Sequence, residues 1–426
     1  SPEFPLVFGP FLVLYWGIRR YILFQKSILL VFGYCIYALL SPWFALTLAI
    51  YTLFNGVISR AIQFSYPSRP RASSLALWIG VLGGLALLGF FKYADFFAQQ
   101  SSILLNALQL SWSVPVIDVL LPLGISFYVF QAISYLVSVR RGECKPAKPL
   151  DLALYLCFLP TLLAGPICRP SELLIQLESQ DQRRIQDVER PLMLITSFVI
   201  KKVWLASWLA QSTVDPIFSA PSSYSGPDLI IGAVAYALQI YFDFSGYTDL
   251  VTAIALLLGY QLPANFSLPY IASSLSDFWG RWHITLSRWI RDYVYIPLGG
   301  NRNGFARMLL NLLIAMTLSG LWHGASLKYV AWGAFHGVAL CLEKVLQRVG
   351  IPKLGYVPTF IIVCAGWILF RSPTLLSALD YFNSCADWRM PLNPDLPHLP
   401  VALLLGTCFL LWMRAEALLS MSISLL

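Results

Sequence analysis

The sequence predicts an all-α integral membrane protein, and its composition and the spacing of its apolar runs support this. Hydrophobic residues make up 58% of the 426 residues and charged residues only 12%, whereas soluble domains carry about 25% charged residues. The mean hydropathy is +0.69. A spanning helix needs about 20 mainly apolar residues, and such stretches or near-stretches occur about ten times along the chain. One continuous membrane domain over residues 1–426 is the simplest organisation.

The positive charge of the chain fits membrane topology better than nucleic-acid binding. The net charge is +8, but the cations form no basic tract with interleaved aromatic residues. Many lie in short connectors between apolar runs, as in loops retained on the cytoplasmic side under the positive-inside rule. These residues are Arg19, Arg20, Lys26, Arg60, Arg69, Arg71, Arg140, Arg141, Lys145 and Lys148.

The cysteines and the start of the chain predict no disulfide framework, no metal site and no cleavable signal peptide. The eight cysteines show no CxxC and no paired spacing, so we expect neither a disulfide framework nor a metal site. The first apolar run lacks a basic region before it and a small-residue cleavage site after it, so we expect no cleavable signal peptide. Because the chain starts at Ser1 rather than Met, we expect a few native residues to precede it.

Five apolar runs in the first third predict membrane helices. Pro122 and Gly124 lie inside the fifth and are tolerable in a membrane helix, while residues 101–118 predict a loop or an interfacial turn. The run at 150–164 is too short to cross and predicts a half-crossing or re-entrant piece. The charged tract 172–190 should be solvent-exposed or interfacial. The five runs are 4–18, 28–40, 42–62, 74–91 and 116–139.

Two further predicted helices, 191–214 and 228–258, carry charged residues at membrane depth. Ionisable residues there are expensive and are functional-site hypotheses by default. For Lys201 and Lys202 we favour side chains that snorkel to an interface. For Asp243, a functional role and structural pairing stay equally open.

The segment 277–295 predicts one amphipathic helix in the membrane interface. Its apolar residues recur at helical spacing, and its arginines fall on other sides, as in helices that lie along a membrane surface. His283 falls at the border of the apolar face. The apolar face comprises Phe278, Trp282, Leu286, Trp289 and Tyr293.

Three of the four histidines fall between residues 283 and 336. His323 ends an apolar run and is followed by Gly324, and a neutral imidazole is well suited to take a proton from a hydroxyl. On local grounds alone, a structural role remains slightly favoured for His323 and more so for His336. His398, in a proline-rich connector, should be exposed. No HExxH, GxSxG or P-loop motif occurs, which disfavours zinc, serine-hydrolase and ATPase chemistry, but a transporter remains possible.

Several longer motifs occur in order and carry a resemblance to a known family. They are Phe-Lys-Tyr at 91–93, Leu-Pro-Leu-Gly-Ile-Ser-Phe-Tyr at 121–128, Leu-Ala-Gly-Pro-Ile at 163–167, Tyr-Phe-Asp-Phe-Ser-Gly-Tyr-Thr-Asp at 241–249, Asn-Phe-Ser-Leu-Pro-Tyr at 265–270, Phe-Trp-Gly-Arg-Trp-His at 278–283, Arg-Asp-Tyr at 291–293, Pro-Leu-Gly-Gly-Asn-Arg at 297–302 and Gly-Leu-Trp-His-Gly at 320–324. With these motifs the sequence resembles the membrane-bound O-acyltransferases, and within them the bacterial branch that O-acetylates alginate and other polysaccharides.

The resemblance implies a fold and a set of site residues. The implied fold has about eleven transmembrane helices, with re-entrant and interfacial helices, around a funnel that meets a tunnel at the catalytic histidine. We expect N-terminal helices over 1–139, a catalytic core over 150–345 and C-terminal helices over 354–426. His323 matches the hallmark catalytic histidine and His283 the second catalytic residue. The expected substrate-binding residues are Trp282, Arg291, Asn301, Trp322 and Asp243.

The resemblance also implies a reaction and its partners. We expect a multi-pass protein of the bacterial inner membrane, surrounded by lipids, that uses acetyl-CoA as donor and has no tightly bound cofactor, metal or nucleic acid. The acceptor would be an extracytoplasmic SGNH-hydrolase-like acetyltransferase or the exported polysaccharide itself. The Gly-Gly-Asn-Arg turn at 299–302 favours polysaccharide acetylation. Alternatives are D-alanyl or peptidoglycan acyl transfer, or a non-catalytic transporter of polymer or lipid.

Overall fold

The computed structural model of the chain describes residues 4–66, 68–110, 120–185, 187–351 and 353–424, and it is helical throughout its regular elements there. The all-α prediction is therefore confirmed. By length and apolar composition, seven of the described helical segments could cross a membrane, so the protein is a multi-pass membrane protein; the figure of about eleven spans stays a prediction. These segments are Ile22–Leu40, Pro42–Ser65, Pro70–Ala107, Glu189–Ser219, Gly226–Leu257, Phe305–His323 and His398–Ala415.

The chain divides into two compact units. The first comprises Ser1–Leu194 and Leu250–Pro263, and the second comprises Ile195–Asp249 and Ala264–Leu426. The second unit contains all four histidines. The predicted single domain and its three sections stay predictions.

The first unit is built mainly from nine helices. They are α1 Phe4–Gly17, α2 Ile22–Leu40, α3 Pro42–Ser65, α4 Pro70–Leu88, α5 Ala94–Ala107, α6 Ile125–Arg141, α7 Pro149–Leu156, α8 Leu159–Leu162 and α9 Ile175–Glu178. Short π-helical turns, Gly89–Tyr93 and Pro170–Leu174, precede α5 and α9.

Several boundaries in the first unit differ from the predictions. The helix expected at 74–91 continues through α5 to Ala107, so residues 101–107 are helical rather than a loop; residues 111–118 of that expected loop lie outside the described residues. Pro122 and Gly124 precede α6 instead of interrupting it. Gly124 has a left-handed φ of +76°, and a Cβ there would lie 1.8 Å from the Leu162 carbonyl oxygen, so only glycine fits.

We predicted Lys26 to lie in a connector, but it lies inside α2. Its Nζ lies 2.8 Å from Asp151 Oδ1 on α7, and both side chains are only 4% exposed. Removing one partner of such a buried pair costs about 3–5 kcal/mol because the other charge stays buried and unpaired. The run at 150–164 forms two short helices, α7 and α8, instead of one piece.

The second unit begins within α10, Glu189–Phe198, and its later helices carry the histidines. Two π-helical stretches, Val199–Ala206 and Ala210–Val214, flank the short α11. The remaining helices are α11 Ser207–Leu209, α12 Asp215–Ser219, α13 Gly226–Leu257, which ends in the first unit, α14 Leu275–Arg281, α15 Ile284–Ile290, α16 Phe305–His323, α17 Leu327–Arg348, α18 Tyr356–Arg371, α19 Leu375–Ser384 and α20 His398–Ser424.

Lys201 and Lys202, for which we favoured snorkelling, pair with carboxylates of α13. Lys201 Nζ lies 2.8 Å from Asp249 Oδ2, and Lys202 pairs with Asp243. Between these pairs, a Cβ on Gly246 would lie 3.1 Å from both lysine Cβ atoms, so the two segments cross closely there. For Asp243, the structure thus supplies the structural partner.

Helices α16 and α17 form a tightly packed antiparallel pair. A Cβ on Gly320 would lie 2.2 Å from the Tyr329 carbonyl oxygen, and one on Gly333 would lie 2.4 Å from the Met316 carbonyl oxygen. In a membrane, close packing of small residues replaces much of the hydrophobic drive for helix association. These two glycines therefore set the distance between the helices.

Replacing Gly333 with Ala should force α16 and α17 apart and lower the midpoint of thermal unfolding. Overpacking of this kind costs about 1–3 kcal/mol. Gly406→Ala is the matched control, because nothing lies within 4 Å of a Cβ at Gly406 in α20. Unfolding of both variants can be followed by the fluorescence of the purified protein. Equal midpoints for the two variants would contradict the close-packing interpretation.

Candidate active site

The predicted single helix over 277–295 is broken at His283. α14 ends at Arg281, α15 begins at Ile284, and His283 between them has φ +43° and ψ 54°. Left-handed backbone costs a residue with a Cβ about 1–2 kcal/mol. The apolar residues Phe278, Trp282, Leu286 and Trp289 are buried inside the unit, where the prediction had them facing a membrane surface.

A preceding segment, Asn265–Ser267, holds this break in place. The Ile284 amide donates to the Asn265 carbonyl oxygen at 2.9 Å, and the Ser267 amide donates to the Arg281 carbonyl oxygen at 3.0 Å. The Thr285 hydroxyl also donates to Asn265 Oδ1 at 2.6 Å. These bonds satisfy backbone groups that a continuous helix would have paired internally, which offsets the strain at His283.

A buried carboxylate fixes the other end of α14. Glu343, on α17, accepts hydrogen bonds from the Leu275 amide at 2.6 Å and from the Ser276 hydroxyl at 2.6 Å. A carboxylate is stabilised by the unpaired amides at a helix N-terminus. Glu343 therefore ties α14 to α17.

His323 and His283 lie close together in this unit. His323 is the last residue of α16, and its ring centroid lies 6.5 Å from that of His283. Trp332 and Phe370 each meet the His323 ring in a T-shaped contact at 5.2 Å. The two histidines predicted to be catalytic thus share one aromatic environment.

His283 is buried as a neutral imidazole. Its side chain is 1% exposed, and within the described part of the chain neither ring nitrogen has a hydrogen-bond partner. Burial lowers the pKa of His283 to about 3, so at neutral pH one nitrogen is a donor and the other an acceptor. Buried polar groups are nearly always paired, so these nitrogens indicate a place for water or a ligand.

His336 is also fully buried and makes no hydrogen bond to a carbonyl among the described residues. Its ring lies between two indoles, 5.0 Å from Trp279 and 5.2 Å from Trp332. Trp332 also contacts His323. His336 is therefore linked to the histidine pair through aromatic packing.

A cavity of about 410 Å³ extends beside this cluster, within the second unit. On α16 its lining runs from Met308 to Ser319, about 16 Å at 1.5 Å per residue. Ser319 lies one helical turn before His323, so this is the inner end of the cavity. The lining residues are Ser276, Trp279, Ser287, Ile290, Arg291, Tyr295, Asn301, Met308, Leu312, Ala315, Met316, Ser319, Leu340 and Lys344.

The outer end of the cavity is polar and basic. Arg291, Tyr295, Asn301 and Lys344 line it. Arg291 is exposed and pairs with Asp292 at 2.8 Å, and the Tyr295 hydroxyl donates to Asn301 Oδ1. Two cations and several hydrogen-bonding groups at one end of a largely apolar cavity suit an elongated ligand with an anionic end.

The predicted substrate-binding residues fall into two groups. Arg291 and Asn301 line the cavity, and Trp322 lies beside His283 with ring centroids 5.8 Å apart. Trp282 is buried against Trp367, and Asp243 pairs with Lys202; neither lines the cavity. Their predicted roles stay untested.

Sequence reasoning missed several residues of this region. Trp279 lies in the Phe-Trp-Gly-Arg-Trp-His motif but was not among the predicted substrate-binding residues. The direction in which its side chain points depends on the end of α14 at the His283 break, which the sequence did not predict. Lys344 reaches the cavity only because α17 runs antiparallel to α16. No pattern in the local sequence marks either residue as a cavity residue.

We predicted His398 to be an exposed loop residue, and this prediction is wrong. It begins α20, is partly buried, and its Nε2 lies 2.6 Å from Oδ1 of the fully buried Asp228. Among the residues that the structure describes, no group of three or more His, Cys, Asp or Glu side chains could hold a metal ion.

Replacing His283 with Gly should remove the left-handed strain, whereas Val should increase it. We expect the Gly variant to unfold at or above the wild-type temperature and the Val variant to unfold below it, separated by about 1–3 kcal/mol. Both variants lack the imidazole and its ring contacts, and the Val side chain refills part of the buried space, so a lower stability of the Val variant would reflect the backbone. Differential scanning calorimetry of the purified chain measures the difference. If the Val variant matched the Gly variant, the left-handed conformation would not be required.

Comparisons with known proteins agree with this architecture. The sequence model of MBOAT, the membrane-bound O-acyltransferase family, matches residues 116–371. A probable alginate O-acetylase of Pseudomonas putida is 39% identical over 92% of this chain and 81% of its own length. A peptidoglycan O-acetyltransferase of Helicobacter pylori is 33% identical over 77% of this chain and 67% of its own.

A more distant relative belongs to a different acyl-transfer branch. A teichoic acid D-alanyltransferase of Streptococcus thermophilus is 30% identical over 53% of this chain and 57% of its own length. The family match covers more than half of the chain, including both α14–α15 and the α16–α17 pair. The chain is an O-acyltransferase and belongs to the membrane-bound O-acyltransferase family.

Proposed function

We propose that this enzyme takes an acetyl group from acetyl-CoA on the cytoplasmic side of the bacterial inner membrane and passes it across for O-acetylation of an exported polysaccharide. The observation that carries the proposal is the contact of His323 with His283 near the inner end of a cavity with a basic outer end. The relatives named as alginate and peptidoglycan O-acetylases support an acetyl group as the cargo.

The cavity suits the thioester arm of the donor. Its volume of about 410 Å³ lies at the lower end of the usual range for small-molecule sites, about 300–1,000 Å³. The arm and acetyl group would fill the apolar part, and the nucleotide would stay at the outer end. Arg291 and Lys344 would pair with its phosphates there, because cations at a cavity mouth are well placed to bind phosphate groups.

The two histidines would divide the chemistry between them. The acceptor hydroxyl oxygen bonds to the thioester carbonyl carbon while its proton passes to a ring nitrogen of His323. The carbon–sulfur bond then breaks, and the proton moves from His323 to the leaving thiolate, so the products are an ester and a free thiol. His283, neutral because of its burial, would donate its N–H to the oxyanion of the intermediate.

Transfer across the membrane would bring the acetyl group to an acceptor that lies outside. Acetyl thioesters are made in the cytoplasm, whereas exported polysaccharides are modified beyond the membrane. The acceptor is a serine of an extracytoplasmic SGNH-hydrolase-like partner or a hydroxyl of the polysaccharide itself. D-alanyl transfer is the competing reaction within the family, because a teichoic acid D-alanyltransferase is among the relatives. A non-catalytic transporter would need neither histidine for chemistry.

Replacing His323 with Ala should abolish acetylation of the exported polymer, because the acceptor hydroxyl would lose the base that takes its proton. The variant is expressed in a deletion strain, and mass spectrometry of the envelope polymers measures acetyl and alanyl esters separately. Protein abundance in the membrane fraction is the control. Unchanged acetylation would overturn the role of His323, and loss of alanyl instead of acetyl esters would favour D-alanyl transfer.

Replacing His283 with Gln should lower kcat about 10²–10³-fold, the usual cost of one oxyanion donor, without moving the midpoint of the pH–rate profile. With a pKa of about 3, His283 stays neutral across the assay range. A shifted midpoint would show that His283 titrates during the reaction.

The same variant should change how stability depends on pH. The folded pKa of His283, about 3, lies below the ordinary value of about 6.5. The unfolded chain therefore binds the extra proton first, and the wild type loses stability as pH falls below about 6.5. His283→Gln should lose less stability over that range, measured by thermal unfolding at pH 7 and pH 5. An equal loss in both proteins would contradict a buried neutral imidazole.

A further inference from the structure

Trp279 lines the cavity together with Ala315, Met316 and Ser319, the lining residues of α16 that come nearest to His323 along the helix. The buried indole N–H of Trp279 has no hydrogen-bond partner among the described residues. Trp332 contacts both the Trp279 indole and the His323 ring, so the indole lies on the side of the cavity nearest to His323.

Trp279 is held from behind by other rings. Trp332 meets it in a T-shaped contact at 5.6 Å, and His336 meets it at 5.0 Å. Trp332 is itself stacked on Trp367 at 6.0 Å. The indole thus forms the front of a packed aromatic layer.

His336 has no room to move away from Trp279. A Cβ added to Gly366 of α18 would lie 2.3 Å from His336 Nε2, so the α18 backbone already touches the imidazole. Packed interiors of this kind yield little to an extra methylene group. Trp279 therefore forms a rigid wall.

We propose that Trp279, supported by His336, sets the length of the acyl group that the enzyme accepts. This rests on the proposed function of the cavity as the donor site. An acetyl group fits between the indole and α16, whereas a longer acyl chain would collide with the indole or pull its carbonyl back from His323. Trp279 is thus a specificity-determining residue, and His336 is a positioning residue.

The test measures the affinity of the purified full chain, in lipid nanodiscs, for acetyl-CoA, propionyl-CoA and butyryl-CoA. One methylene in an apolar pocket is worth about 10–200-fold, so the wild type should bind butyryl-CoA at least 10-fold more weakly than acetyl-CoA. Trp279→Ala should remove this preference, because the indole's space becomes available to the chain. Equal wild-type affinities, or a Trp279→Ala variant that keeps the preference, would overturn the inference.

Trp367→Ala is the matched control. It removes a buried indole of the same size from the same aromatic layer, but Trp367 does not line the cavity. The control should keep the preference for acetyl-CoA. If it lost the preference as fully as Trp279→Ala, general loosening of the layer would explain both results and the assignment to Trp279 would fail.

The role of His336 is tested by ring size rather than by charge. His336→Phe should keep the acetyl preference, because an aromatic ring still supports Trp279, whereas His336→Ala should weaken it. The same behaviour of both variants would refute the support role. A wild type that binds none of the three thioesters would remove acetyl-CoA as donor, whereas a wild type that prefers acetyl-CoA with an unaltered Trp279→Ala variant would refute only the wall.

Discussion

The backbone break at His283 is the constraint on which the site depends. A continuous helix would carry the residues after 283 along the axis of α14, whereas the left-handed residue turns α15 and the π-helical turn Arg291–Tyr295 in a new direction. Trp279 thereby faces the inner end of the cavity and Arg291 its outer end. Asn265 makes this possible, because its carbonyl and side chain accept the hydrogen bonds of the residues just after the break. A loop residue about 20 positions earlier in the chain thus defines the geometry of the cavity.

The second constraint is the close approach of α16 and α17. Gly320 and Gly333 let the two backbones touch, which brings Trp332 of one helix against His323 of the other. The same pairing carries Glu343 to the N-terminus of α14, so one helix packs against His323 and anchors the broken helix. Packing between small residues, hydrogen bonds and aromatic contacts therefore do here what burial of apolar surface does in a soluble core.

The all-α class and many of the spanning helices could be predicted, because a long apolar run in a sequence indicates a spanning helix. Motif order also indicated that His283 and His323 belong to one site, and they do lie together. The break at His283 could not be predicted, since periodicity describes a segment by itself and the hydrogen bonds that stabilise the break come from Asn265. The ion pairs of Lys201, Lys202 and His398 could not be predicted for the same reason: each partner lies on another helix or loop. Trp279 and Lys344 become cavity residues only through tertiary packing.

The lysine–aspartate pairs between the α10 region and α13 have a consequence for how the protein is made. A lysine at the centre of an inserting helix costs about 2.5–3.5 kcal/mol at the translocon, and Lys201 and Lys202 are adjacent. Their counter-charges, Asp249 and Asp243, are synthesised about 40–50 residues later, at a similar cost to α13 alone. Neither segment is therefore a good autonomous insertion signal, whereas in the folded protein the two lysines are paired with two aspartates of α13. Pairing between the two segments thus offsets part of the insertion cost that each carries alone.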